Sequence, residues 1–122
     1  MHYQYLKNFI SERVRKNDIF VPAMILFLIK NEGHGTIQEI ARLLYIFDFR
    51  HDLEYYDTIV EKFAGVLLEE YNIVRREGRT YYLHTWPLNK NEIFAITKQC
   101  MEVSNGFFTN LHNPDEPLRK AS

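Results

Sequence analysis

From Ile19 to Ile29 the chain carries no polar side chain, and this run limits what the whole molecule can become. It falls well short of the ~20 apolar residues needed to cross a bilayer. Pro22 suits the first turn of a helix, where its missing N–H costs nothing. Phe20, Val21, Met24, Ile25, Leu26, Phe27, Leu28 and Ile29 would cover such a helix nearly all round. A helix of that kind has no face to give to solvent, so it must be central and enclosed by other elements. Its predicted span is 20–31, ended by Gly33-His34-Gly35.

The enclosing elements can be read on either side. Leu6, Phe9, Ile10 and Val14 recur at helical spacing and predict a first helix over 3–16, before Asn17-Asp18 breaks the pattern and offers a cap. Thr36-Ile37-Gln38-Glu39 is a capping box, in which the Thr side chain and Glu39 satisfy two orphan amides reciprocally. Ile37, Ile40, Ala41, Leu44 and Tyr45 then give one apolar face. Two helices separated by a Gly-rich turn, the second one capped, follow helix-turn-helix grammar. The next helix opens near Asp52 and keeps its period through Leu53, Tyr56, Ile59, Val60, Phe63, Leu67 and Leu68 to Tyr71. Gly65 interrupts it, which predicts a bend or a second, shorter helix. Asn72 suits a left-handed helix end.

Ile73 to Arg76, the turn Glu77-Gly78 and Arg79 to Leu83 predict a β-hairpin, stopped by Pro87. Asn89 to Glu92 repeats the cap spacing and opens a last helix extending to about Phe107. From His112 the chain is polar and Pro-rich, which predicts a loose tail. The fold class is therefore α+β, mostly α: a winged-helix-like three-helix core with a C-terminal hairpin wing, plus flanking N- and C-terminal helices. Residues 1–111 form one domain and 112–122 a flexible polar tail, as suits a chain of 122 residues. A single cysteine, Cys100, excludes an internal disulfide and fits a reducing, cytoplasmic setting. The first residues lack the pattern of a signal peptide.

Leu53-Glu54-Tyr55-Tyr56, Phe63-Ala64-Gly65-Val66-Leu67, Tyr71-Asn72-Ile73-Val74 and Gly78-Arg79-Thr80-Tyr81-Tyr82-Leu83 together resemble a bacterial accessory domain. That domain is winged-helix-like and lies N-terminal to HNH-type nuclease domains in restriction-like proteins. The similarity runs from about residue 20 to 104. The family usually has Pro-Gly where this chain has Ala64-Gly65, and a basic residue and Gly where it has Glu70, Tyr71 and Asn72. The resemblance implies an accessory, DNA-directed role beside an endonuclease domain or subunit, and transfers no catalytic residue.

Arg75, Arg76 and Arg79 cluster at the hairpin turn, with Tyr81 and Tyr82 beside them. Guanidinium groups match phosphate geometry well, so this wing is the first candidate for holding DNA. The alternative is a solvated hairpin with Glu77 as partial counter-charge. Arg13, Arg15 and Lys16, with Lys7, form a second basic candidate, or else a soluble helix end whose bases favour the C-terminal dipole. The helix over 51–71 has the opposite character: six acids (Asp52, Glu54, Asp57, Glu61, Glu69, Glu70) against Lys62 alone, a charge of −5. Phosphates repel such a face, so major-groove docking by this helix is not expected.

The net charge of −1 gives no global attraction to nucleic acid. An aromatic share of 15% leaves rings over for an interface. Tyr55, Asp57 and Glu61 are accordingly the candidate contacts of the rival reading, a protein-interaction or homodimerisation module. The five histidines lack zinc spacing, and His51 beside Asp48 and Asp52 is the nearest approach to a cluster. Cys100 on an apolar face reads as a small hydrophobe. No cofactor, metal or catalytic residue is expected.

Overall fold

The structure, a computed structural model, describes residues 3–105. The apolar run becomes helix α2 (Phe20–Lys30), whose residues from Val21 to Leu26 are buried without exception. It is enclosed as its sequence requires. Around it lie α3 (Ile37–Asp48), α6 (Lys90–Val103), the strands β1 (His34–Thr36) and β3 (Thr80–Leu83), and the long helical segment built from α4 (Leu53–Ile59), a π-helical turn (Val60–Ala64) and α5 (Gly65–Glu70). Helix α1 (Tyr3–Arg13) packs on α6, burying Leu6, Phe9 and Ile10. The protein is thus α+β and mostly helical, with one small sheet.

The caps form as the residue types dictate. Thr36 and Glu39 make the reciprocal box, with bonds of 3.1 and 2.9 Å. Asn89 and Glu92 make a second one, and Asp52 accepts from the Tyr55 N–H at 2.9 Å. Asn72 ends α5 with φ +59°. Asp18 accepts from the Phe20 N–H at the start of α2.

Two helices are shorter than their periodicity implies. Helix α1 stops at Arg13, because Val14 turns into the core and the Asn17 N–H donates to Val103 O at 2.7 Å. A tertiary bond to α6 here prevails over continuing the helix. Helix α6 ends at Val103, and Phe107 lies outside the described residues, as does the tail over 112–122.

The sheet has the antiparallel order β1–β3–β2, with β2 spanning Val74–Glu77. The hairpin closes over Gly78-Arg79 in the register Arg75↔Tyr82 and Arg76↔Tyr81. Strand β1 was not legible: His34 and Gly35 read as part of a helix end and Thr36 as the cap of the next helix, yet the three pair with Tyr82, Tyr81 and Thr80. Three residues cannot display a strand period, so only pairing defines it. Gly35 permits that pairing, since the Phe27 ring occupies the space a Cβ would need. Gly65 is similarly constrained: a Cβ there would collide with the Tyr81 hydroxyl and with Val60 O in the π turn. The interruption expected from helix propensity therefore has a second cause, close approach of the sheet.

Candidate interaction surface

Directly opposed residues of an antiparallel pair share one face. Arg76 therefore lies on the Tyr81 side of the hairpin, toward the helices, and Arg75 on the Tyr82 side. Tyr81 is fully buried, and the Arg76 guanidinium lies 5.9 Å from its ring centre. From there Arg76 Nη2 reaches Glu61 Oε2 at 2.7 Å, and Nε donates to Gly78 O at 2.7 Å. The Arg76 hydrogen bond holds the Glu61 carboxyl below the usual carboxylate range, and the same bond raises Arg76.

The neighbouring arginines are also paired. Arg79 Nη2 lies 3.5 Å from Asp57 Oδ2 on α4. Arg75 forms an ion pair with Glu77 and stacks over Tyr82, with 4.3 Å from guanidinium to ring centre. Each of the three arginines predicted to hold DNA already has a carboxylate partner, which for Arg75 is the Glu77 of the alternative reading. For Arg76 and Arg79 the physical reason is the pairing of a basic hairpin with an acidic helix beside it, whereas Arg75 is paired within its own strand.

Exposure separates the three. Arg75 and Arg79 keep 50% and 49% of their side chains exposed, against 26% for Arg76. Pairs as exposed as the first two hold at most about 1 kcal/mol. Arg76, with a second bond to the turn and a ring beside it, belongs to the framework.

The other basic residues lie elsewhere. Arg13 sits over the Tyr71 ring, 5.3 Å from its centre, at the base of the hairpin. Arg15 and Lys16 are exposed in the turn after α1. Lys16 also lines a groove of about 660 Å³ between α1 and α6, with Lys7, Lys98 and Glu102 around an apolar floor of Ile10, Val14 and Val103. The six basic residues predicted as two candidates, the hairpin and the end of α1, lie on those two separate elements.

Of the residues predicted to meet a partner, Asp57 and Glu61 take part in the intramolecular pairs. Tyr55 is exposed and stacks on His51, with ring centres 3.9 Å apart. The His51 cluster does not form. Asp48 is buried and bonds Arg50 Nε at 2.8 Å and the Tyr56 hydroxyl at 2.6 Å, while Asp52 caps α4. Among the described residues no group of His, Cys, Asp and Glu could hold a metal ion. No helix among them is long and apolar enough to cross a membrane. Burial pushes the Cys100 thiol well up, away from the reactive thiolate.

Sequence reasoning missed the α3–α4 corner, where Phe49 is 69% exposed with φ +31°. Tyr45, Ile46, Leu53 and Tyr55 are also exposed around that corner. The available signal was Ile46-Phe47-Asp48-Phe49, where aromatic residues run past the end of an apolar period that needs no more of them. No family model, curated protein or solved structure matches the chain.

Proposed function

We propose that this chain is a protein-interaction module on a winged-helix-like frame. The frame is supported by the succession α2, β1, α3, the long helix over α4 and α5, then the β2–β3 hairpin, and by the strand order β1–β3–β2. The interaction role is carried by one observation: Asp57 and Glu61 of the long helix neutralise Arg79 and Arg76 of the hairpin. With these pairs made and Glu54, Glu69 and Glu70 remaining beside Lys62, the helix–hairpin side keeps a negative balance. Phosphate binding depends on an excess of cations, whereas a protein partner can use mixed charge and exposed aromatic rings. The likeness to accessory domains of HNH-type endonucleases points to a nuclease domain or subunit as one such partner.

A second reading, DNA held through the hairpin, is favoured by the half-exposed Arg75 and Arg79, whose weak pairs a phosphate could displace. Arg13, Arg15 and Lys16 would be its second contact.

Titration with duplex DNA at low and physiological salt separates the two. The interaction module predicts weak binding that is unchanged by an Arg75→Ala/Arg79→Ala double substitution. Tight binding with a steep salt slope, reduced by that substitution, would establish the second reading and overturn the first.

A further inference from the structure

Helix α6 stops beside the groove between α1 and α6. The Asn17 N–H, in the turn after α1, donates to Val103 O at 2.7 Å, and Asn105 follows the helix with a left-handed φ of +58°. The chain therefore leaves the described fold at the end of the groove where Val14, Lys16, Glu102 and Val103 meet. Lys7 and Lys98 lie further along it, where Gln99 Nε2 donates to Lys7 O at 2.9 Å.

The lining says what kind of occupant fits. Lys7, Lys16 and Lys98 are exposed, and none has a carboxylate partner among the described residues. Lys7 has only the Tyr3 ring, 6.0 Å from its ammonium. Glu102 is the one acid of the lining. Three cations around an apolar floor favour an occupant that is apolar and negatively charged.

The residues after Asn105 have that chemistry in the order the groove requires. Phe107, Phe108 and Leu111 are apolar, and Asp115 and Glu116 are the first charged residues after Glu102. From Ala95 to Val103 the helix rises about 12 Å, which an extended chain covers in about four residues. Phe107 and Phe108 thus leave Asn105 within reach of Val14 and Val103, and Asp115 and Glu116 have length to spare for Lys7 and Lys98. Arg119 and Lys120 follow Pro117 and carry the sign of the groove itself, so the part that fits is 107–116. A separate partner with the same chemistry would compete against a tethered segment, whose effective concentration is on the order of mM.

We propose that residues 107–116 of this chain dock in the α1–α6 groove, with Phe107 and Phe108 against Val14 and Val103 and with Asp115 and Glu116 toward Lys7 and Lys98. Docking straps α1, whose principal packing is on α6, to the rest of the fold. The proposal stands apart from the interaction-module reading.

The test is zero-length carbodiimide cross-linking of the full chain at about 1 µM, far below the effective concentration of a tether, read by mass spectrometry. Lys7 or Lys98 should be joined to Asp115 or Glu116 within one chain. In Phe107→Ser/Phe108→Ser these links should fall away. The α1 amides should then exchange at least about tenfold faster, the factor that burial of one phenylalanine ring supplies, while the α2 amides keep their protection. Asp115→Lys/Glu116→Lys leaves both rings in place and should also speed α1 exchange, and adding Lys7→Glu/Lys98→Glu should slow it again. Absent links, links only between two chains, or links that persist in the double serine variant would overturn the proposal. Unchanged α1 exchange, or no recovery in the charge-exchanged protein, would overturn it too.

Discussion

The Tyr56 hydroxyl donates to Asp48 Oδ2 at 2.6 Å, with both side chains buried where α3 meets α4. Arg50 completes the arrangement from the surface, its side chain 71% exposed. A buried carboxylate must be paired and hydrogen-bonded to be tolerated, so this corner depends on the tyrosine hydroxyl. Tyr56→Phe keeps the ring packing and removes one bond to a charged group. Urea denaturation should show a loss of about 1.5–3 kcal/mol.

The same residue sets part of the alkaline limit. Burial, and then the Asp48 carboxylate, push the Tyr56 hydroxyl above its ordinary value of 10.0. Burial likewise raises Tyr81 and Cys100. Each folded-state value exceeds the unfolded one, so each contribution is fully present below the unfolded value. It is lost as pH rises above that value and through the folded one. Thermal melts should be flat in these contributions at neutral pH and fall steeply above about pH 10 for the tyrosines. In Tyr56→Phe the alkaline slope should be shallower, even though the protein is less stable at neutral pH.

Tyr81→Phe should behave oppositely to Tyr56→Phe. The Tyr81 hydroxyl is buried and has no partner at good hydrogen-bonding geometry among the described residues, the nearby Arg76 guanidinium offsetting only part of the effect of burial. Removing it relieves a desolvated group and deletes no bond, so the Tm should be equal to or above that of the parent protein. Gly65→Ala places a methyl where that hydroxyl and Val60 O already lie, and should destabilise by about 1–3 kcal/mol as overpacking does. Combined with Tyr81→Phe, part of that loss should be recovered, because the two changes share one contact.

The hairpin arginines should rank by exposure. Arg75→Ala and Arg79→Ala should each change stability by no more than about 0.5 kcal/mol, as surface substitutions do. Arg76→Ala, which leaves Glu61 and Gly78 O without their partner, should lower Tm visibly more than either. Melts at low and high salt check the ranking. Salt should blur the effect of Arg79 and leave that of Arg76 largely intact, since less exposed pairs are less screened.

Local chemistry carries a large part of this molecule. The apolar run from Ile19 to Ile29 requires a buried helix whatever else surrounds it. Thr36 with Glu39, Asn89 with Glu92, and Asp52 each mark a helix start within a few residues, because a cap satisfies its own backbone. The hairpin around Gly78 and the helix end at Asn72 are likewise written within a handful of positions. Strand β1 is different: three residues have no period, and Gly35 has meaning only against the Phe27 ring of another element. The stop of α1 at Arg13 also depends on Val103 O, far along the chain.

Charge shows the division most sharply. The types and positions of Arg75, Arg76, Arg79, Asp57 and Glu61 were plain from sequence, and so was the opposition of a basic hairpin to an acidic helix. Whether those arginines would face solvent or the helix was decided by the packing of β2 against α5, which brings Arg76 to Glu61 of the π turn and Arg79 to Asp57 of α4. One residue of register would turn Arg76 outward and Arg75 inward. Short-range preferences are encoded by neighbours along the chain. The pairing of charges and the exposure of Phe49 depend on which surfaces fold against one another, and only the assembled core determines that.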